Sequence, residues 1–565
     1  MNRLMTIFAL AVMFAAPGRM SAQTKPVATS SLAAEVSAPS PAAPQVPSIR
    51  FEDTTDQSGI DYVHSFGSAQ LGSLLEGTGA GCVWFDYNNS GLPSLYVVNG
   101  RPLDDSMHPH PLKVKPNPAP HNHLYRNDGG GHFTDVTDKA GLSPDMYGMA
   151  VAAADYDNDG HVDLLVTGYG KTILYHNDGN GHFTDVTEKA GIHVDGWTIS
   201  STWLDYDKDG CLDLFIGRYV KFDPKYRAYY AADNYPGPLD YEGETNKLYH
   251  NNCNGTFTDV TEKSGIGASV GRTMGVTAAD FDGDGWDDIY VANDRTENFL
   301  FHNKHDGTFE EIGNDTATAF GQNGESTSSM GPVFADLEGR GILDLWVTDG
   351  HYNRLLRNTG QSSFDDIGAT NGVSQANAQY VSWGTGIYDF DNDGLLDILI
   401  FHGGLIHLIP QEHTLFRGLG NDRFADVSRD AGPVLSQRTV ARGACFADYD
   451  NDGKVDAFLV NLGARGTLLH NVSTNTGHWL AIKLIGTRSN RDGIGARVEV
   501  YAGDKRWTAE RVADSGYLSQ NEAQLHFGLG AANSVDKIVV HWPSGVDQVL
   551  GKQDVNRQLT IEEPK

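Results

Sequence analysis

The chain has 565 residues, and its 42 lysines and arginines against 73 aspartates and glutamates give a formal net charge of −31. Duplex nucleic acid and anionic lipid surfaces repel such a chain, so the composition excludes them as main partners. Hydrophobic residues make up 39% of the chain and aromatic residues 10%, which is enough to bury a core and argues against a disordered protein. The 65 glycines exceed the usual share of about 7% and indicate many tight turns.

Residues 1–22 have the three parts of a secretory signal. Arg3 makes the start basic, residues 4–16 are almost all apolar, and small residues follow up to Ala22. The apolar run is too short for a membrane-spanning helix, and no later stretch reaches the ~18 residues that one needs. Residues 23–48 are rich in Ala, Pro and Ser, which predicts an extended linker. We therefore expect an exported protein that is periplasmic, cell-surface or extracellular.

One motif then recurs at intervals of about 50 to 75 residues. It reads Asp-x-Asp-x-Asp-Gly with a further Asp at the ninth position, followed by a short apolar run. Five complete copies begin at Asp155, Asp205, Asp280, Asp389 and Asp448, and two weakened copies begin at Asp86 and Asp336. A second motif, Phe-x-Asp, lies between successive copies. Such a repeat indicates one supersecondary unit that is arrayed along the chain.

Each unit is predicted to contain about four short β-strands, because its apolar runs are rich in Val, Ile and aromatic residues and end at Gly, Asn or Asp. Seven units predict an all-β fold, a seven-bladed β-propeller over residues 49–474. An extra Phe-x-Asp copy at Phe51–Asp53 precedes the first unit, and the last unit lacks this piece. We expect the N-terminal strand to complete the last blade and close the ring, whereas a solenoid would need capping repeats at both ends.

The five complete loops, which we call the Asp loops, have the pattern of a calcium site. Carboxylates at positions 1, 3, 5 and 9, around a sharp turn at the glycine of the sixth position, gather hard oxygen ligands that suit Ca²⁺ better than Mg²⁺ or Zn²⁺. Asp residues also form Asx-turns without an ion, but five copies that retain the ninth Asp favour ion binding. We expect about five structural Ca²⁺ ions, with these ligands: Asp155, Asp157, Asp159, Asp163, Asp205, Asp207, Asp209, Asp213, Asp280, Asp282, Asp284, Asp288, Asp389, Asp391, Asp393, Asp397, Asp448, Asp450, Asp452 and Asp456.

The two weakened loops are predicted to hold no ion. The loop at Asp86 has asparagine and serine at the other ligand positions, so it lacks the charge density of the complete loops. The loop at Asp336 has Arg340 at position 5. We expect the Arg340 guanidinium to replace the ion as an internal cation.

The sequence leaves open whether two insertions bind a metal or a ligand, and it contains histidines that recur with the repeat. The His- and Pro-rich residues 101–123 include His108, His110, His121 and His123, which suit a transition metal, although the Pro content favours a solvated loop. Residues 218–246 carry aromatic side chains that suit a glycan or protein surface, or else pack on the blade beneath them. These are Tyr219, Phe222, Tyr226, Tyr229, Tyr230, Tyr235 and Tyr241. Other histidines recur in the repeated turns, which marks them as structural: His132, His176, His182, His250 and His302.

The cysteines are too few for disulfides to be the main stabilising element of an exported protein. Cys82 and Cys445 precede equivalent motifs in the first and last units, and Cys211 and Cys253 lie in one unit. Either pairing is open from the sequence, and so is a set of four buried free thiols.

Residues 475–565 contain no Asp loop and alternate apolar and polar residues between Gly-rich turns. This pattern predicts a separate small β-domain of ordinary domain size.

The motifs resemble a known family. The Asp loops are similar to the FG-GAP/VCBS repeats of integrin-α-type propellers, and residues 275–303 resemble bacterial relatives of cartilage acidic protein. The tail resembles the ASPIC/UnbV domain through residues 477–501, 515–520, 526–530 and 539–545. The resemblance implies structural Ca²⁺ and extracellular adhesion or recognition of a protein or glycan, and it implies no defined reaction.

The sequence contains no G-x-S-x-G elbow, no H-E-x-x-H helix and no phosphate-cradling loop, and its other catalytic constellations are weak. The leading hypothesis is therefore a non-enzymatic binding or adhesion module. The alternative is a periplasmic or secreted enzyme acting on polysaccharide, with Glu76 and His64 as an acid/base pair in the axial channel. A third hypothesis is a subunit of a larger envelope assembly.

Overall fold

The fold consists mainly of short strands separated by Gly- and Asp-rich turns. The computed structural model describes residues 48–102, 104, 105, 110–114, 116, 119–226, 235–405 and 407–565. The predicted signal at 1–22, the predicted linker up to residue 47, and His108, Tyr229 and Tyr230 lie outside the described residues. All described residues belong to one unit, Val46–Lys565.

Seven four-stranded antiparallel sheets follow one another between residues 51 and 471 of the described chain. Their strands, in hydrogen-bonded order, are as follows. Sheet 1 has Cys82–Phe85, Ser94–Val97, His123–Gly129 and His132–Asp135; sheet 2 has Tyr147–Ala154, Asp163–Tyr169, Ile173–Asn177 and Phe183–Asp185; sheet 3 has Thr198–Leu204, Asp213–Arg218, Lys247–Asn251 and Phe257–Asp259. Sheet 4 has Thr273–Ala279, Asp288–Asn293, Phe299–Asn303 and Phe309–Glu311; sheet 5 has Ser329–Ala335, Asp344–Asp349, Arg354–Asn358 and Phe364–Asp366. Sheet 6 has Ser382–Tyr388, Asp397–His402, Thr414–Gly418 and Phe424–Asp426; sheet 7 has Ala441–Ala447, Asp456–Asn461, Thr467–Asn471 and Phe51–Asp53.

The sheets form a closed ring. The first strand of each sheet packs against the first strand of the next, and that of sheet 7 packs against that of sheet 1. The N-terminal strand Phe51–Asp53 completes sheet 7, with Phe51 opposite Asn471. The structure therefore confirms the all-β class, with repeated four-stranded sheets as in a β-propeller, and it confirms the predicted closure by the N-terminal strand.

Helices in the described residues are short, and none is long and apolar enough to cross a membrane. Most of them follow the Phe-x-Asp motif. In sheet 2, Asp185 Oδ1 accepts hydrogen bonds from the backbone N (3.1 Å) and Oγ1 (2.6 Å) of Thr187, and Gly191 at φ 76° ends the turn. The helices are Thr55–Ser58, Leu74–Thr78, Thr137–Ala140, Thr187–Ala190, Gly368–Asn371, Val373–Ala376 and Pro433–Ser436, and two 3₁₀ turns are Pro238–Asp240 and Ile266–Ala268.

The tail forms a second set of sheets over residues 478–562, which we call the C-terminal β-region. Its buried cluster includes Leu480, Val498, Phe527 and Trp542. Its three-stranded sheet has Leu525–Gly530, His478–Ile485 and Arg557–Glu562, and its four-stranded sheet has Lys505–Glu510, Arg497–Ala502, Lys537–His541 and Asp547–Leu550. Two-stranded sheets pair Ser534–Val535 with Gln553–Asp554, and, in the ring, Glu244–Thr245 with Val270–Gly271.

One connection of the C-terminal β-region enters the centre of the ring. We call residues 511–524, between the strands Lys505–Glu510 and Leu525–Gly530, the central connection. Its polar contacts reach the first strands of five sheets: Gln520 bonds Cys82 and Ala153, Gly516 bonds Pro332, Asp514 bonds Thr277, and Asn521 bonds Phe446. Tyr517 and Leu518 are buried at its tip. The tail therefore packs into the ring axis, which the strand pattern alone did not predict.

Candidate metal centre

The first aspartate of every loop closes the turn. In sheet 2, Asp155 accepts the N–H of Asp159 at 2.9 Å and of Gly160 at 2.8 Å. The equivalent bonds form in the other six loops, at Asp86, Asp205, Asp280, Asp336, Asp389 and Asp448. Gly160 has φ 93°, a conformation that a side chain at position 6 would strain. Position 1 therefore closes the turn through the backbone four and five residues on, in complete and weakened loops alike, whereas an Asx-turn bonds the backbone two residues on.

The ninth-position aspartate joins two strands. Asp163 is fully buried and accepts the N–H of Asn177 at 2.7 Å and of Tyr156 at 3.3 Å. Asp213, Asp288, Asp397 and Asp456 accept the corresponding third-strand N–H. Position 5 contributes a bond to the N–H of position 7, as in Asp159 with His161 at 2.8 Å. Bonds to backbone N–H groups therefore hold the carboxylates of positions 1, 5 and 9 in place.

Some of these carboxylate oxygens are buried and have no hydrogen-bond partner. They belong to position 3 in sheets 3, 6 and 7 and to position 9 in sheets 4 and 7: Asp207 Oδ1, Asp391 Oδ1, Asp450 Oδ1, Asp288 Oδ2 and Asp456 Oδ2. In the weakened loop of sheet 5, Asp344 Oδ2 is also buried without a hydrogen-bond partner. A buried carboxylate oxygen without a partner is costly unless a cation binds it. The donor set is made of hard oxygens, so the residues present fit Ca²⁺.

A third-strand histidine lies against four of the five Asp loops. His302 Nδ1 lies 3.0 Å from Asp288 Oδ1, and His470 Nδ1 lies 3.0 Å from Asp456 Oδ1. In sheets 2, 3 and 4, the ligand atoms of His176, His250 and His302 lie within 4.8 Å of those of the position-3 and position-5 aspartates. The repeated turns predicted a structural role for these three histidines. His470 was not predicted, although the same His-Asn pair ends its strand.

In sheets 5 and 6, an arginine rather than a histidine lies against the loop aspartates. Arg340 forms an ion pair with Asp344, which confirms the predicted internal cation of the weakened loop. In sheet 6, Arg417 Nε lies 2.9 Å from Asp391 Oδ2 and Arg417 Nη2 lies 2.6 Å from Asp393 Oδ2. Arg417 stands on the third strand, outside the loop motif, so the motif gave no sign of it.

Burial raises the pKa of the carboxyls at positions 1, 3 and 9 of the Asp loops. It raises the pKa of Asp155 and Asp448 to about 8, with repulsion from Asp492 and Glu522 respectively as the next cause. The hydrogen bond to Asp288 raises the pKa of His302 to about 9. A divalent cation in these loops therefore competes with protons near neutral pH.

Family profiles match both parts of the chain. The FG-GAP-like repeat profile matches residues 86–166, 155–216, 237–291, 280–347 and 336–400, together more than half of the chain. The chain belongs to the FG-GAP-like repeat family. A second profile, ASPIC and UnbV, matches residues 486–565. Both matches confirm the resemblance stated from the sequence.

Relatives are found among animal proteins. The chain is 28% identical to cartilage acidic protein 1 of Mus musculus over 317 residues, which cover 54% of this chain and 46% of that protein. It is 28% identical to the Homo sapiens protein over 316 residues, which cover 53% of this chain and 44% of that protein. The match thus spans about half the length of these relatives.

The solved structures with similar folds have low sequence identity to this chain. An Agrocybe aegerita lectin that recognises non-reducing terminal N-acetylglucosamine has 16% identity and a TM-score of 0.37, over 68% of this chain and 86% of that chain. A Bacillus licheniformis rhamnogalacturonan lyase has 12% identity and a TM-score of 0.34, over 71% of this chain and 74% of that chain. These values support no conclusion about function.

The ring axis of this FG-GAP protein is filled. The helix Leu74–Thr78 contributes Leu74 and Leu75 to a buried cluster that includes Trp383, Tyr517 and Leu518. Arg442 is fully buried beside them, donates from Nε to Gly77 O at 2.7 Å, and stacks on the Trp383 ring at 3.9 Å. The axial channel that the enzyme hypothesis requires is therefore occupied by the protein's own side chains.

Glu76 and His64 lie in this packed region. Glu76 is fully buried and accepts the N–H of Gly72 at 2.7 Å. His64 Nδ1 accepts the N–H of Gly463 at 3.1 Å, and burial, followed by the charge of Arg442, lowers the pKa of His64 to about 3. Both side chains bind backbone groups, and neither lines an open channel in the described residues.

The aromatic insertion packs mainly on its own sheet. Tyr219 and Tyr241 are buried, and Phe222 contacts the Trp197 ring at a centroid distance of 5.4 Å. Tyr226 remains 41% exposed. Tyr235 donates to Leu405 O of sheet 6 at 3.1 Å, which joins the insertion to the opposite side of the ring.

The His- and Pro-rich insertion contains a cross-strand pair. His123 Nδ1 lies 2.8 Å from Asp135 Oδ2, and His121 stacks on the His123 ring at 4.5 Å. The same strand position holds Lys247 paired with Asp259 at 2.8 Å in sheet 3, and Arg354 paired with Asp366 in sheet 5. His123 is therefore the sheet 1 form of a repeated structural pair. His110 is exposed.

The cysteines divide into two kinds. Cys211 and Cys253 form a disulfide that joins position 7 of the sheet 3 loop to the turn before the fourth strand. Cys253 Sγ lies 3.4 Å from Asp209 Oδ2. Cys82 and Cys445 are buried free thiols. Of the alternatives open from the sequence, the structure thus pairs Cys211 with Cys253 and leaves the other two unpaired.

Proposed function

We propose that this FG-GAP protein is an exported, calcium-binding β-propeller that acts as a non-enzymatic binding or adhesion module for a protein or glycan. The observation that carries the proposal is the set of buried, partnerless carboxylate oxygens in the Asp loops. Ca²⁺ would neutralise these carboxylates and bind the oxygens that the backbone leaves free. Positions 1 and 9 fix the loop, and positions 3, 5 and 9 offer the remaining oxygens.

Export is supported by three observations. The N-terminal residues have the composition of a secretory signal. The Cys211–Cys253 disulfide suits an oxidising compartment. The animal relatives are named as cartilage proteins, which agrees with an extracellular setting.

Binding is favoured over catalysis by the packing of the axis. Glu76 and His64 bind backbone groups, and the helix that carries Glu76 packs with Trp383 and with Leu518 of the central connection in one buried cluster. A polysaccharide enzyme with an axial site would need this cluster to open.

The metal part is tested by calcium titration of the full mature chain after chelator treatment. We expect about five ions and a higher melting temperature in Ca²⁺ than in Mg²⁺, since each site stabilises by about 2.7 kcal/mol at 100-fold excess over Kd. Asp207→Asn should remove one ion, whereas the exposed control Asp195→Asn should remove none. An unchanged melting curve after chelation would refute the proposal.

The binding part is tested by probing glycan and extracellular-protein arrays with the mature chain in Ca²⁺ and in chelator. We expect a ligand that is retained in Ca²⁺ and lost in chelator. Turnover of a polysaccharide that is abolished by Glu76→Gln, with Ca²⁺ binding unchanged, would instead establish the enzyme.

A further inference from the structure

Three Asp loops are bonded to carboxylates of the C-terminal β-region. The backbone N–H of Asp155 in sheet 2 donates to Asp492 Oδ2 at 2.8 Å. In sheet 4, the N–H of Asp280 donates to Glu510 Oε1 at 2.9 Å, and in sheet 7 the N–H of Asp448 donates to Glu522 Oε2 at 3.1 Å. In each case the N–H belongs to the first aspartate of the loop. One contact is therefore made three times, by three different strands or turns of the tail.

The Asp loops of sheets 3 and 6 meet the same region without such a carboxylate in the described residues. In sheet 6, Asn392 O accepts the N–H of Gly530 at 2.9 Å and Asp391 O accepts the N–H of Gly477 at 3.0 Å. In sheet 3, Gly210 packs against the backbone of Arg488. The five loops therefore divide into three with a tail carboxylate and two without one.

The three contacts add negative charge to the loops. Each tail carboxylate accepts the backbone N–H of a first aspartate. It therefore lies close to a loop that already holds four carboxylates. Glu510 is 8% exposed, so water screens it little. Basic side chains lie near the tail carboxylates: Arg511 near Asp492, Arg497 near Glu510 and Lys483 near Glu522. Arg491 Nε also lies 3.8 Å from Asp155 Oδ2, and Lys454 pairs with Asp452, so the loop carboxylates are offset only in part. A divalent ion in the loop would convert this repulsion into attraction.

We propose that Asp492, Glu510 and Glu522 belong to the metal sites of sheets 2, 4 and 7, as carboxylates that act on the ion through the first aspartate. Ion binding in these three loops and docking of the C-terminal β-region then stabilise each other by the same free energy, as linkage requires. The inference rests on the proposed Ca²⁺ binding and adds a role for the tail, which becomes part of the metal-dependent structure.

The test is a triple variant, Asp492→Asn, Glu510→Gln and Glu522→Gln, in the full mature chain. An amide oxygen still accepts the N–H, so each hydrogen bond is retained while its charge is lost. The matched control, Asp547→Asn, Asp554→Asn and Glu562→Gln, removes the same charge from exposed positions of the tail. Equilibrium dialysis with radioactive Ca²⁺ should show three ions bound about fivefold more weakly in the variant and two unchanged, with the control like the wild type.

Hydrogen exchange of the central connection gives a second readout. In chelator, the variant should protect residues 511–524 more than the wild type does, because the repulsion is gone. In Ca²⁺ it should protect them less, because the attraction is gone. A purely structural role would lower protection in both conditions.

The outcomes separate the two proposals. If the wild-type chain binds no Ca²⁺, the proposed function fails, and this inference fails with it. If the wild type binds Ca²⁺ and the variant binds all ions as tightly, only the inference is overturned. Equal weakening of all the ions would also overturn it, since the effect would then be a general loss of charge or folding.

Discussion

The Asp loops of sheets 6 and 7 both have aspartate at positions 1, 3, 5 and 9, yet different side chains offset the charge of these aspartates. In sheet 7, His470 lies against Asp456, Lys454 pairs with Asp452 at the loop surface, and Asp456 Oδ2 keeps no partner. In sheet 6, Arg417 pairs with Asp391 and Asp393 and brings a permanent positive charge. The loop motif therefore sets where the carboxylates lie, while a residue on the third strand sets how much charge remains for an ion.

The largest effect should come from removing the ninth aspartate of sheet 7. Asp456→Ala leaves the N–H of Asn471 and the His470 ring without their buried partner, which should cost about 3 kcal/mol of unfolding free energy. Urea unfolding in Ca²⁺ measures this loss. The same measurement in chelator should show a smaller loss of unfolding free energy, because the wild-type loop then has no ion to lose. An equal loss in both conditions would show that Asp456 does not bind the metal.

A second prediction concerns the pH dependence of the unfolding free energy, which a buried histidine of sheet 6 should control in part. Burial lowers the pKa of His413 in sheet 6 to about 3, so the folded chain binds fewer protons there than the unfolded chain, whose histidines titrate near 6.5. Stability from this group is complete above about pH 6.5 and falls as the pH decreases, by about 2 kcal/mol at pH 5.

His413→Gln should therefore reduce the loss of unfolding free energy between pH 7 and pH 5 by that amount. Denaturant titrations at both pH values measure it, with the exposed His193→Gln as the control. An unchanged pH dependence in His413→Gln would show that the side chain is not held neutral in the fold.

The smallest effect tests the comparison itself. Arg417→Gln removes the internal cation of sheet 6, so its loop should bind Ca²⁺ about tenfold more tightly, or about 1.4 kcal/mol. Arg357→Gln, at the same strand position in sheet 5, should not change calcium binding, because its pairs are with Asp365 and Asp422 outside the Asp loops. Weaker binding after Arg417→Gln would mean that the guanidinium supports the ion.

Local patterns made much of this fold predictable. The repeated Asp and Phe-x-Asp motifs indicated the sheets, and the unpaired copy at Phe51–Asp53 indicated the closure of sheet 7. Arg340 was predictable because it stands inside the loop that it neutralises. In each case the residues that interact are near in sequence or are marked by the repeat.

Contacts between distant segments were not predictable. Arg417 lies outside its loop, and Gln520 meets Cys82 and Ala153 across most of the chain length. Glu76 and His64 pointed to a channel because nothing in the sequence shows that Tyr517 and Leu518 fill it. A pattern of short strands specifies each sheet, but it does not specify what packs into the space that the sheets enclose.

The central claim, that the complete Asp loops hold ions and the weakened ones do not, is tested most directly by anomalous diffraction from crystals grown in Ca²⁺. We expect peaks between the aspartates of positions 1, 3, 5 and 9 in sheets 2, 3, 4 and 7, a weaker peak in sheet 6, and none in sheets 1 and 5. Loops without peaks at saturating Ca²⁺, or a peak beside Arg340, would contradict it.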